Sequence, residues 1–305
     1  FIQPELSGIG WGNLMKQSSD FMQGHIVDIP IHCAREHADS KERYTGAFDT
    51  FMRALTNGEF SKLVLARSER VTTDVIPSAG TLFSNACREY PRMMTYLCHI
   101  PRAGTWIGSS PEILLSGIPG QLQTVSLAGT MAMSSETTSD GWNTKNRNEQ
   151  KIVSEYIKET LRDKGIKVQE KGPYTARAGN LLHIKTEFRF RIDKMSKMGS
   201  LLKDLYPTPA VNGYPKKEAT HFILENEDFD RSYYSGFFGW IEPDWITDLY
   251  VNLRCMTLYN DSIDLYGGGG ILKDSELETE WNETEHKMET MRALFEQSIK
   301  NEKAT

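Results

Sequence analysis

Hydrophobic and polar positions follow two periods along this chain, and segments of the two kinds are interleaved. Apolar residues at helical spacing predict helices over residues 44–55, 81–90, 144–164, 199–205, 216–225 and 274–302. Short apolar runs bounded by charges or turn residues predict strands over residues 62–67, 94–100, 104–108, 112–116, 122–128, 168–174, 181–192, 236–241, 247–259 and 262–266. Because hairpins outnumber β-α-β units, the pattern favours an α+β fold with large, mostly antiparallel sheets.

Composition narrows the class of protein. Of the 305 residues, 39% are hydrophobic and 25% are charged, as in an ordinary soluble globular protein. The net charge of −6 argues against a nucleic-acid surface, and no apolar run is long enough to cross a membrane. The sequence has no Cys-x-x-Cys pair, so we expect reduced thiols in a cytoplasmic protein at Cys33, Cys87, Cys98 and Cys255.

A glycine run near the C-terminus is the most unusual stretch. Gly267–Gly270 follow the mostly apolar run Ile263–Tyr266, and backbone without Cβ atoms can turn its N–H groups toward an anion. Four charged residues around the last predicted helix share one face: Glu276, Glu280, Glu283 and Lys287. This arrangement suits an anionic ligand held through a metal. On this stretch alone, a flexible hairpin followed by a solvated, ion-paired surface helix is the favoured interpretation.

Three charged residues next to apolar positions each allow two interpretations. Lys62 opens an apolar strand, either as an edge residue or as a desolvated general base whose pKa falls from about 10.4 toward neutrality. Glu112 precedes another strand, as a solvated turn residue or as an acid with a raised pKa. Glu149 either extends the inward face of its helix or stays in water, where it favours the helix dipole.

Two further residues remain ambiguous. His183 lies among Leu181, Leu182 and Ile184, which favours a satisfied core histidine over a ligand. Arg254 interrupts the strand predicted over 247–259. A buried arginine needs an anionic partner, so Arg254 is either ion-paired or holds a substrate carboxylate.

The order of the motifs is more specific than any one of them. The series runs Lys62–Arg67, Gly108–Glu112, Leu127–Thr130, Lys145–Glu149, Pro207–Gly213, Asp230-Arg231 with Ser235-Gly236 and Gly239-Trp240, Arg254, Gly267–Gly270 and Trp281–Lys287. It resembles the chorismate-utilising enzyme family, which includes isochorismate, anthranilate, aminodeoxychorismate and salicylate synthases. The resemblance covers roughly Tyr44 to the C-terminus.

The resemblance implies a single chorismate-binding catalytic domain over residues 1–305, with a partial N-terminal segment at 1–43 and the family core at 44–305. Two large, mostly antiparallel sheets are expected to stack, with helices outside and the site in a cleft between them. The N-terminal portion is shorter than the family pattern, and the chain begins with Phe1 rather than Met. We therefore expect that the natural start is missing.

The resemblance also implies the site. Glu149 and Glu283 match the carboxylates that hold Mg²⁺, an ion that prefers oxygen ligands. Substrate-binding positions are implied at Gly129, Thr130, Ala210, Val211, Leu253, Arg254, Gly268 and Lys287. The last three match positions that hold the pyruvyl carboxylate of chorismate, and the metal would take the ring carboxylate. His183 and Glu280 are candidates without an assigned role.

Lys62 and Ala210 resemble the branch of the family that uses water. The implied function is an isochorismate synthase, an isomerase serving menaquinone or siderophore synthesis. Neutral Lys62 would activate water for attack at C2, and protonated Glu112 would donate to the departing C4 hydroxyl. We expect chorismate as the small-molecule substrate, a monomer or homodimer, and no obligatory glutaminase, nucleic-acid or membrane partner.

Three alternatives stay open. A salicylate synthase would go on to eliminate pyruvate at the same site, and an anthranilate or aminodeoxychorismate synthase component would use ammonia. A catalytically dead paralogue would only bind chorismate. The chain departs from the family pattern at Met131-Ala132-Met133, where a basic run with Pro and Gly is expected, and at Asn146 and Gln150. Neither departure removes a residue given a catalytic role.

Overall fold

The computed structural model describes residues 41–101, 103–118, 120–132, 141–179, 181–192, 195–242 and 246–303. The expected N-terminal segment, Cys33 and Met133 lie outside these ranges, except that residues 41–43 begin the first helix. Six α-helices occur in the described residues: α1 Lys41–Thr56, α2 Ala79–Glu89, α3 Thr144–Asp163, α4 Met198–Leu205, α5 Lys216–Asn226 and α6 Leu277–Lys303. All six were predicted, with ends that differ by a few residues.

The strands form two sheets. Their bounds are β1 Lys62–Thr72, β2 Met94–Ile100, β3 Gly104–Ser110, β4 Ile113–Ile118, β5 Gln121–Ala132, β6 Val168–Ala178, β7 Leu181–Phe190, β8 Gly213–Tyr214, β9 Phe237–Ile241, β10 Thr247–Val251, β11 Cys255–Leu258 and β12 Ser262–Ile271. Sheet I has the order β2-β3-β11-β12-β1-β8, and sheet II has the order β6-β7-β5-β4-β10-β9. Every strand pair among the described residues is antiparallel, which confirms the predicted α+β class.

Helices bury the apolar faces of both sheets. Residues of α3 and α4 pack against β4, β5, β7 and β10 of sheet II. Sheet I is covered by α2 and α6 over β3, β11 and β12, and by α1 and α5 over β1. Within the described part of the chain, none of the helices combines the length and apolar composition that a membrane crossing requires.

The prediction that a strand ends at Tyr266 and opens into bare backbone is wrong. Strand β12 continues through all four glycines and pairs with β1, with Gly269 opposite Leu65. The glycines are needed because side chains and α6 approach the strand closely. A Cβ atom on Gly267 would lie 2.8 Å from the Thr284 carbonyl oxygen, and one on Gly270 would lie 2.2 Å from Glu149 Oε1. The run is therefore a flat strand surface against which other groups pack.

The single strand predicted over 247–259 is also wrong, because the chain changes sheets within it. Strand β10 belongs to sheet II and β11 to sheet I, and Asn252–Arg254 connect them. Arg254 has a φ of 48°, in the left-handed region that is uncommon for residues other than glycine. Arg254 interrupts the apolar pattern at this break, but one arginine between apolar residues does not distinguish a crossover from a continuous strand.

Candidate active site

A cavity lies between the two sheets and contains about 610 Å³ of space, counting the open region at its mouth. Most of the predicted site residues line it: Glu112, Gly129, Thr130, Glu149, His183, Ala210, Val211, Leu253, Arg254, Gly268 and Lys287. Lys62 and Glu280 are buried next to this wall, and the side chain of Glu283 beside them is 10% exposed.

Lys62 and Glu149 form a buried ion pair. Lys62, the first residue of β1, is 0% exposed, and its Nζ donates to Glu149 Oε1 at 3.0 Å. Glu149 lies one turn before Val153 on the inward face of α3, which begins with Asn143 as its N-cap. The solvated alternatives for both residues are therefore wrong. Lys62 Nζ is thus held by Glu149, whereas the implied mechanism needs this nitrogen to reach a water molecule.

Glu112 is a buried acid beside the start of β4. Its side chain is almost fully buried, and burial raises its pKa to about 7. The positive charges of Lys62, Lys287 and Arg254 act in the opposite direction. A carboxyl group with this pKa carries a proton in a large fraction of molecules near neutral pH, as a general acid requires.

Glu283 is held as a carboxylate on α6. Its Oε1 accepts hydrogen bonds from Thr130 Oγ1 at 3.0 Å and from Lys287 Nζ at 2.5 Å. Burial opposes its ionisation, but Lys287 and Lys145 lower its pKa to about 2. Thr130 reaches Glu283 from β5, where a bulge at Gly129 shifts the strand register.

Glu280 lies one helical turn earlier and has the opposite shift. It is 0% exposed and pairs with Lys145. Burial, together with the charge of Glu283, raises its pKa to about 7. Both carboxylates approach β12 so closely that a Cβ atom on Gly269 would lie 3.3 Å from Glu280 Oε2 and 3.8 Å from Glu283 Oε1.

Two buried carboxylate oxygens lack partners. Glu149 Oε2 and Glu280 Oε2 accept no hydrogen bond from any described residue. Such atoms are rare, because an unpaired buried acceptor is costly. No group of three or more acidic, His or Cys side chains in the described ranges has the spacing of a complete metal cage. Mg²⁺, however, is commonly held by one or two carboxylates plus water and substrate oxygens. The carboxylates of Glu149, Glu280 and Glu283, which all lie against Gly269 and Gly270, therefore fit this ion.

Arg254 lies at the cationic end of the cavity, where it contacts His183. Arg254 Nη2 lies 3.2 Å from His183 Nε2, and His183 Nδ1 lies 2.9 Å from the Gly129 carbonyl oxygen. Because that oxygen can only accept, Nδ1 carries the proton and Nε2 accepts from Arg254. Burial, reinforced by the charges of Arg254 and Lys287, lowers the His183 pKa to about 3. His183 is therefore the satisfied neutral histidine that its apolar neighbours favoured, and it joins two parts of the cavity wall.

Arg254 has no carboxylate within ion-pair distance among the described residues. Its Nη1 donates to the Lys287 carbonyl oxygen at 3.2 Å, and burial lowers its pKa to about 10. It therefore stays charged at neutral pH. Lys287 adds a second cation and donates to the Gly268 carbonyl oxygen at 2.9 Å. Of the two interpretations of Arg254, the geometry leaves the anionic ligand.

Tyr234 and Ser235 also line the cavity, although no residue pattern predicted a role for them. Both precede β9, and the Tyr234 hydroxyl lies 3.0 Å from the place where a Cβ atom would stand on Gly268. Ser235 lies in one of the motifs that carried the resemblance. A serine has no charge or periodicity to single it out, so only the fold identifies it as part of the wall.

Residues 14–296 match the profile of a family described as chorismate binding enzyme. The chain is 30% identical over 247 residues to isochorismate synthase EntC of Escherichia coli K12, which is 78% of this chain and 63% of that protein. It is 29% identical over 275 residues to the salicylate biosynthesis isochorismate synthase of Pseudomonas aeruginosa, covering 86% and 57%. The chain thus spans less than two thirds of the length of these relatives.

Solved structures show the same fold. The crystal structure of DhbC from Bacillus anthracis has a TM-score of 0.77 and 26% identity, over 84% of this chain and 72% of that one. MenF, the menaquinone-specific isochorismate synthase of Escherichia coli, has a TM-score of 0.75 and 26% identity, over 92% and 68%.

Proposed function

This chain belongs to the chorismate-binding enzyme family, and from that premise we propose that it is a Mg²⁺-dependent isochorismate synthase. The reaction would add water at C2 of chorismate and release the C4 hydroxyl as water, so that substrate and product are isomers. One observation carries the proposal: a buried lysine and a buried acid with a raised pKa lie at the same cavity. Several relatives that bear the name isochorismate synthase support it.

Lys62 and Glu112 would act as base and acid. Lys62 Nζ takes a proton from a water molecule as that water attacks C2. The ring double bonds shift, and Glu112 donates its proton to the leaving C4 hydroxyl. Proton transfer by a positioned side chain contributes about 10²- to 10⁴-fold to a rate.

Opposite charges at the two ends of the cavity would orient the substrate. Arg254 and Lys287 bind the pyruvyl carboxylate, next to the backbone of Gly268. Glu149 and Glu283 would hold Mg²⁺. Bound there, the ion would supply positive charge for the ring carboxylate of the substrate, and this charge would weaken the hold of Glu149 on Lys62.

We further propose that the protein acts in the cytoplasm, as a monomer or homodimer, without a glutaminase subunit.

The proposed reaction is tested by incubating the purified protein with chorismate and Mg²⁺, with and without EDTA, and with and without an ammonium salt. Products are separated by chromatography, and free pyruvate is measured with lactate dehydrogenase. We expect isochorismate alone, its loss with EDTA and no effect of ammonium.

Other outcomes would contradict the assignment. Equal amounts of salicylate and pyruvate would identify a salicylate synthase. A product that requires ammonium would identify an aminating enzyme. Chorismate binding without any product would identify a paralogue that only binds.

A further inference from the structure

Ser235 combines two unfavourable features on the cavity wall. Its φ is 62°, in the left-handed region where residues other than glycine are strained. Its side chain is also buried, and its Oγ has no hydrogen-bond partner among the described residues. Either feature alone is uncommon, and a glycine would avoid both. Their coincidence at a residue that lines the cavity calls for an explanation.

The backbone around Ser235 is held from both sides. Its N–H donates to the Asn252 carbonyl oxygen at 2.9 Å, and its carbonyl oxygen accepts from the Tyr206 hydroxyl at 2.8 Å. Strained residues persist where the surrounding structure fixes them in this way. The bond to Asn252 also places Ser235 beside the crossover that carries Arg254. Ser235 therefore lines the same cavity as Arg254 and Lys287, close to Arg254 along the backbone.

We propose that Ser235 is a substrate-binding residue whose Oγ donates a hydrogen bond to an oxygen of the carboxylate held by Arg254 and Lys287. The inference rests on the proposed function, because chorismate supplies that carboxylate. An anionic oxygen would satisfy the hydroxyl that lacks a partner within the fold.

The test compares Ser235 with Ser232, which the chain offers as a matched control. Ser232 has a φ of 49°, but it is exposed and does not line the cavity. The variants are Ser235→Ala and Ser235→Gly, with Ser232→Ala and Ser232→Gly as controls. Steady-state kinetics with chorismate and urea unfolding are measured for all four variants and for wild type.

We expect both Ser235 variants to raise KM about tenfold with kcat changed less than about twofold, because a binding contact to a charged group is lost. Neither Ser232 variant should change KM. Both glycine variants should unfold at higher urea than wild type, because glycine relieves the left-handed strain. Strain is thus common to the two positions, and the KM effect is specific to Ser235.

An unchanged KM in folded Ser235→Ala would overturn the inference and leave the proposed function intact. A fall in kcat with unchanged KM would overturn it as well, because the contact would then not contribute to binding. If wild type does not turn over chorismate, the proposed function and this inference both fall.

Discussion

Two ion pairs with buried carboxylates contact strand β1, and they differ in how completely their polar atoms are satisfied. Glu227 and Arg231 form the first, which is bidentate. Glu227 Oε1 also accepts from the Ala66 N–H at 2.6 Å. Arg231 donates to the carbonyl oxygens of Val64 and Val211, each at 2.8 Å. Both carboxylate oxygens and all three guanidinium nitrogens of this pair therefore have a hydrogen-bond partner within the fold.

Lys62 and Glu149 form the second pair, joined by one hydrogen bond at 3.0 Å. Glu149 Oε2 has no partner in the described ranges. A buried ion pair is worth little to stability unless its remaining lone pairs are satisfied. The complete pair therefore stabilises the fold, whereas the incomplete pair retains an unpaired carboxylate oxygen to which a ligand can bind.

The largest expected effect separates the two pairs by activity. Lys62→Ala should lower kcat on the order of 10⁴-fold, because the only base proposed for the water is lost. Chorismate binding should change by less than tenfold, since Arg254 and Lys287 remain. Kinetics and equilibrium binding give the two numbers, and Lys41→Ala in the exposed pair with Glu278 is the control. Unchanged turnover in Lys62→Ala would contradict the proposed mechanism.

The next largest effect is on stability, and it concerns the complete ion pair of Glu227 and Arg231. Arg231→Met should lower the free energy of unfolding by about 4 kcal/mol, because Glu227 is left as an unpaired buried charge. The matched control is Lys41→Met, in which an exposed pair should contribute less than about 1 kcal/mol. Urea unfolding measures both. A loss below 1 kcal/mol in Arg231→Met would mean that the complete pair is not a structural element.

A third effect concerns the pH dependence of stability. Burial raises the pKa of Glu112 to about 7 in the folded state, above its ordinary value of 4.5. The folded protein therefore binds the proton more tightly, and this stability is present below pH 4.5 and lost as pH rises through 7. Relative to wild type, Glu112→Gln should gain on the order of 3 kcal/mol between pH 4.5 and pH 8. A difference that stays constant with pH would show that Glu112 is not shifted.

A fourth effect, about 100-fold, is on the rate. Glu112→Gln should lower kcat by this factor, because the leaving hydroxyl loses its acid. Wild-type kcat should fall as pH rises through about 7, where Glu112 loses its proton. This fall of kcat with rising pH should be absent from the residual activity of Glu112→Gln. A fall retained in Glu112→Gln would assign the titration to another group.

Periodicity predicted the secondary structure well, because helices and strands here bury regular apolar faces. The spacing of Glu149 to Ile152 and Val153 allowed an inward position, but it did not exclude a solvated carboxylate. The site as a whole could not be assembled in this way. The residues that make up the site were predicted from the order of the motifs, which resembles that of a known family. No single residue pattern was enough to predict them.

The failures have physical causes. Strand β12 and the crossover at Arg254 depend on close packing and on a left-handed backbone, neither of which leaves a period in the sequence. The ion pair of Lys62 with Glu149 joins residues 87 positions apart. The role inferred for Ser235 depends on a buried hydroxyl without a hydrogen-bond partner, and only the folded structure reveals such an atom.

The most direct test of the central claim follows the oxygen atom. The protein is incubated with chorismate and Mg²⁺ in H₂¹⁸O, and isochorismate formed at early conversion is analysed by mass spectrometry. We predict one ¹⁸O atom per product molecule, located at C2. We also predict almost no product with Lys62→Ala. Product that carries no label, or label incorporated equally well by Lys62→Ala, would contradict it.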